Sequence, residues 1–103
     1  MTKISNFEKV GDFMEAFGQK VEMEPTWPDF NTRDLRLELI SEEFSELCQA
    51  MEDRDMVQIA DALTDLLYVV YGAGHSFGID LDECFEEVHR SNMSKLGKSG
   101  RPI

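Results

Sequence analysis

Basic side chains are scarce in this chain: ten lysines and arginines stand against twenty-one aspartates and glutamates, for a net charge of −11. Such a balance excludes binding to a nucleic-acid backbone through electrostatics alone, although metal ions can reverse the local sign for a small polyanion. Cysteine is nearly absent. Cys48 and Cys84 sit in helical patterns without CxxC spacing and read as buried free thiols, consistent with a reducing cytoplasm. No apolar run is long enough to span a bilayer, since Ile59–Tyr71 is short and carries Asp61 and Asp65. The first residues, MTKISNFEKV, hold no apolar signal-peptide core, and the expectation is a cytoplasmic protein with no membrane and no nucleic-acid partner. Alternating strand patterns and internal repeats are missing too, which leaves helices as the building material of a single domain over residues 1–103.

Four helices are expected, packed as an all-α antiparallel bundle. The first covers about residues 6–20: Ser5 and Glu8 form a capping box, and Phe7, Val10, Met14 and Phe17 recur at helical spacing until Gly18. Residues 21–31 hold Pro25, Trp27 and Pro28 and form a loop. The second helix covers about residues 33–51 with Thr32 as N-cap, and the third about 56–77 between Asp55 and Gly78. The fourth follows Asp80, which pairs with Glu83 in a capping box, and ends near Met93. Residues 97–103 form a flexible basic tail, the end of a stretch in which Arg90, Lys95, Lys98 and Arg101 have no acid among them.

Five carboxylates stand out because apolar sequence surrounds them: Glu42, Glu43 and Glu46 on the second helix, Asp61 and Asp65 on the third. At 100° per residue, Glu46 lies about 40° and Glu43 about 100° from Glu42, in the arc of Leu35, Leu39 and Ala50. Glu38, Ser41, Ser45 and Gln49 form the polar strip elsewhere. Asp61 and Asp65 are i,i+4 neighbours on a helix that is otherwise almost all core, and that helix offers no basic partner for either. Two readings stand at this point: a metal site, whose oxygen-only donors suit Mg²⁺ or Mn²⁺, or solvated and ion-paired carboxylates.

Glu42-Glu43-Phe44-Ser45-Glu46 matches an EExxE motif, Leu63–Gly72 matches the apolar helix that follows it, and His89–Leu96 matches a third segment. In this ordered set the chain resembles the MazG-like all-α nucleoside triphosphate pyrophosphohydrolases, which include MazG, the dimeric dUTPases and phosphoribosyl-ATP pyrophosphohydrolase. The resemblance implies Mg²⁺-dependent hydrolysis of a nucleoside or deoxynucleoside triphosphate to monophosphate and pyrophosphate, a nucleotide-pool housecleaning activity, by a homodimer or dimer of dimers. It further implies Glu43, Glu46 and Asp65 as metal ligands, Glu42 as a ligand or the base that orients water, and Asn92 and Lys95 as phosphate or sugar contacts. Gln19 and Trp27 are candidate base contacts, each with a structural role as the alternative; Trp27 would then cover the core. The pattern departs at one place: the family has glutamate three residues before the aspartate, where this chain has Ala62. Asp61 is the candidate compensating ligand. A degenerate relative that binds nucleotide or assembles without turnover is the alternative. A di-iron bundle finds only one E-x-x-H spacing, Glu86 to His89, because Gly72 precedes His75 by three.

Overall fold

Capping chemistry decides where each helix begins. The computed structural model describes residues 3–97 and 99–101. Helix α1 spans Asn6–Ala16; Ser5 Oγ accepts from the Glu8 N–H, and the Glu8 carboxylate accepts from the Ser5 N–H, a complete capping box. It stops four residues before Lys20, because Gly18 turns left-handed at φ 74° and the Gln19 N–H closes back on Met14 O. Helix α2 spans Phe30–Glu52 and starts earlier than expected, capped by Asp29 and not by Thr32. The Asp29 carboxylate accepts from the Thr32 N–H at 2.8 Å, which places Thr32 inside the first turn and holds the Asp29 pKa below the usual range. Helices α3 (Met56–Phe77) and α4 (Leu81–Met93) keep the expected bounds, with Asp55 and Asp80 as caps. The described residues form no β-sheet, and the fold is an all-α bundle.

The tight turn through Arg54, itself left-handed at φ 53°, folds α3 back antiparallel along α2. Together with α1 lying on α3, this pair forms the core: Phe7, Val10, Met14, Leu47, Ala50 and Ala62 are the buried apolar side chains. The loop after α1 seals the end of α3. Glu22 and Thr26 donate their N–H groups to His75 O and Phe77 O at the end of the helix, His75 O also accepting from the Gly78 N–H at 3.3 Å. Helix α4 is tethered at its start, where Ser5 Oγ donates to Asp82 Oδ2 and Leu81 lies against Gly74, and none of its residues is buried.

Much apolar surface has no cover within one chain. Leu63, Leu67 and Val70, read from sequence as core, are exposed, as are Leu37, Phe44, Phe85 and Val88. The cause is geometric: among the described residues, the main contacts of α3 are with α2 and α1, which cover only parts of it. Cys48 and Cys84, expected to be buried, are free and exposed. The radius of gyration is 16.5 Å, against the roughly 13 Å of a compact domain of this length. Helix α3, at 22 residues, is long and apolar enough to cross a bilayer by length and composition alone, although Asp61 and Asp65 lie within it. The Gly100 N–H donates to Gly97 O at 2.9 Å; Lys98, Pro102 and Ile103, part of the expected tail, lie outside the described residues.

Two left-handed glycines separate backbone strain from crowding. A Cβ at Gly18 would meet open space, whereas a Cβ at Gly78 would lie 1.9 Å from Glu24 O. Gly18→Ala is expected to cost about 1–2 kcal/mol in denaturant unfolding. Gly78→Ala is expected to cost at least about 2 kcal/mol more; equal losses would refute the sealing role assigned to the loop.

Candidate metal centre

The seam between α2 and α3 carries polar side chains where a bundle ordinarily packs hydrocarbon. Antiparallel register brings Arg36 over Gly72 at one end, Glu43 beside Asp65 in the middle, and Glu46 beside Asp61 and Ala62 farther along. Small residues at Ala50, Ala62 and Gly72 let the two backbones approach.

Glu43, Glu46 and Asp65 can each place a carboxylate oxygen within 4.8 Å of the other two. Glu43 and Asp65 are half-buried and Glu46 is exposed. Glu43 Oε2 is buried with no hydrogen-bond donor. Neither described ion pair, Lys20–Glu22 or Glu87–Arg90, reaches this cluster, so the ion-paired reading of these carboxylates fails among the described residues. Burial first, then the charge of Glu46 and a hydrogen-bonding contact with it, then the charges of Asp65 and Asp61, hold the Glu43 carboxyl above the ordinary range. Burial first, then the charges of Asp61 and Glu46, raise Asp65 in the same direction. A buried acceptor without a donor, inside a set of mutually repelling carboxylates, is the environment that a hard divalent cation relieves, and oxygen donors suit Mg²⁺ or Mn²⁺. The residues present fit such an ion.

The remaining sequence candidates fall at graded distances from this centre. Asp61 acts on it electrostatically, raising both Glu43 and Asp65, yet contributes no oxygen to the tight set. Glu42 is exposed and also lies outside that set. Ala62 is buried, and next to it a cavity of about 430 Å³ opens between Glu46, Gln49, Asp53, Gln58 and Asp61. Asn92 and Lys95 bond to each other, Lys95 Nζ donating to Asn92 Oδ1 at 3.0 Å, at the exposed end of α4. A single chain does not bring them to the carboxylates.

Trp27 is 76% exposed and does not cover the core. Its ring meets Phe77 edge-on at 5.8 Å with the Arg33 guanidinium over its face, at the end of α3 about 18 Å along the helix from Asp65. Gln19 does reach the seam: its Oε1 accepts from Arg36 Nη2 at 3.2 Å. Arg36 is the residue that sequence reading missed. It lies only about 20° from Glu43 on the helical projection, so its position on the carboxylate face was available from spacing.

The family model of phosphoribosyl-ATP pyrophosphohydrolase matches residues 10–92. The chain is also 38% identical over 104 residues to an uncharacterized protein of Acanthamoeba polyphaga mimivirus, a match that covers 97% of this chain. It spans only 39% of that relative's length.

The raised carboxyls set a pH dependence. Between the ordinary carboxyl pKa and the raised values, the folded chain keeps protons that the unfolded chain has lost. Stability of the metal-free protein therefore falls as pH rises through that window. The metal-free protein is expected to melt at a higher temperature at about pH 5 than at about pH 7, and Glu43→Gln to flatten this slope. Mg²⁺ or Mn²⁺ at neutral pH should raise the melting temperature by several degrees in the parent and far less in Glu43→Gln or Asp65→Asn. A parent protein indifferent to both ions would remove the metal reading.

Proposed function

Because the chain belongs to the phosphoribosyl-ATP pyrophosphohydrolase family, within the MazG-like all-α pyrophosphohydrolases, we propose that it hydrolyses a nucleoside or deoxynucleoside triphosphate between the α- and β-phosphates. The products are a monophosphate and pyrophosphate, and the setting is nucleotide-pool housecleaning in the cytoplasm. Pyrophosphohydrolase activity on a nucleotide is what the family implies; the triphosphate, the ion and the turnover are this proposal. The observation that carries it is the orphaned Glu43 Oε2, set among carboxylates without a basic partner.

Mg²⁺ bound here supplies charge neutralisation at the phosphates and a more acidic water. Glu43, Glu46 and Asp65 would hold the ion, and Asp61 would stand in for the glutamate that Ala62 replaces. Glu42, which is exposed, would orient the attacking water and take its proton. The cavity beside Ala62 favours one rival, a relative that binds nucleotide without turnover, since a ligand's worth of space stands open there.

Separation of products after incubation with each NTP and dNTP plus Mg²⁺ tests the proposal. Monophosphate and pyrophosphate are expected, with Glu43→Gln slower by at least about a hundredfold. Release of inorganic phosphate would overturn the proposed site of cleavage, and no hydrolysis alongside nucleotide-dependent stabilisation would hand the case to the binding-only reading.

A second copy of the chain is the proposed cover for the apolar faces of α2, α3 and α4. It is also the proposed means by which Asn92 and Lys95 reach substrate phosphates. Sedimentation should give twice the 11.8 kDa chain mass, or a multiple of that for a dimer of dimers. Phe44→Asp and Leu67→Asp should lower it; a parent sedimenting as a monomer at micromolar concentration overturns this part.

A further inference from the structure

Arg36 is a cation buried without an anion. It is 8% exposed, and among the described residues neither ion pair includes it. Nε donates to Ser76 Oγ at 2.8 Å and Nη2 to Gln19 Oε1 at 3.2 Å, both neutral acceptors. Across the seam Gly72 makes room for it: a Cβ there would lie 2.9 Å from Nη1. Burying a guanidinium in this way is costly unless its donors are used.

Arg36 and Gln19 line a cavity of about 320 Å³ together with Phe13, Leu39, Tyr68 and Val69. Phe13 and Tyr68 meet edge to face at 5.6 Å and form an aromatic wall on which a planar ring can pack. Leu39 and Val69 are each one helical turn from Glu43 and Asp65, so the cavity continues the seam that holds the carboxylates. Seven residues of helix, about 10 Å, separate Arg36 from Glu43, a span that a nucleoside bridges. The polar end of this cavity has a fixed sense. Arginine can only donate, so the Gln19 amide must turn its oxygen to Arg36, which leaves the Gln19 NH₂ as a second donor.

We propose that this cavity is the base subsite, and that Arg36 and Gln19 select bases with a carbonyl at pyrimidine C4 or purine C6, uracil and guanine, over cytosine and adenine, which carry an amino group at that position. This rests on the reading that Glu43, Glu46 and Asp65 receive phosphate. A ring carbonyl accepts from the donor pair; an exocyclic amino group meets donors with a donor and leaves them unpaired. Ser76 and Gly72 are positioning residues that hold the guanidinium in place.

Binding of nucleoside monophosphates with Mg²⁺, measured by calorimetry, tests the selection without requiring turnover. UMP and GMP are expected to bind at least about tenfold tighter than CMP and AMP. Arg36→Met should erase the difference. Should that variant fail to fold, Gln19→Glu decides: it gives Arg36 an ionic partner, presents an acceptor, and should bring CMP and AMP level with or above UMP and GMP. Equal affinity for all four in the parent, no binding of any, or an unchanged order in Gln19→Glu overturns the proposal. Selective binding by a protein that hydrolyses no triphosphate would sink the proposed reaction and leave this subsite standing.

Discussion

The antiparallel contact of α2 with α3 is the constraint on which the rest depends. Small residues, Ala50, Ala62 and Gly72, are buried along it beside Leu47 and Arg36, and they let the two backbones approach. That closeness forces the larger polar residues of the same faces to meet one another. Glu43 is driven against Asp65, and Arg36 against Gly72 and Ser76, at a cost that a hydrocarbon seam would not incur. A fold that accepts repelling carboxylates along its main contact has given up stability where a ligand can return it, which is the usual relation between strain and function.

How much of this was legible before the structure depends on the range of the interaction involved. Asp55, Gly78 and Asp80 marked helix ends correctly because caps are local chemistry. Asp29 and Thr32 are both good caps three residues apart, and the choice between them depends on the path of the loop that ties into the α3 carbonyls, which no local pattern encodes. Helical projection united Glu43, Glu46 and Asp65 but could not rank Glu42, because exposure depends on the tilt of α3 and not on α2 alone. Arg36 was within the same arc. That its partners are the neutral Ser76 and Gln19 side chains and not a carboxylate is visible only in three dimensions.

The apolar faces mark a different limit. Hydrophobic spacing states that Leu63, Leu67 and Val70 seek cover, and it is silent on whether the cover comes from this chain or another. Within one chain α4 leaves the bundle after its first turn and returns nothing to the core. The extended radius of gyration and the free apolar surface have this single cause, and they separate two properties that usually coincide: the fold is complete while the burial is not.

Charge sign along the seam orients a nucleotide on the proposed reading. The cavity at the Arg36 end is largely apolar, with donors and no free acid, and suits an uncharged ring. The cavity at the Ala62 end is lined by Glu46, Asp53 and Asp61, which repel a phosphate chain unless cations stand between. The carboxylate set lies between the two. A base at the first, the α-phosphate at the carboxylates and the departing pyrophosphate toward the second is the arrangement in which each chemical part meets its complement. The reverse would place a polyphosphate in the apolar cavity, where one guanidinium already engaged by Ser76 and Gln19 would have to balance it. In a chain of net charge −11, an anionic substrate reaches this seam in company with its cations, so the metal sites and the substrate site are one electrostatic unit.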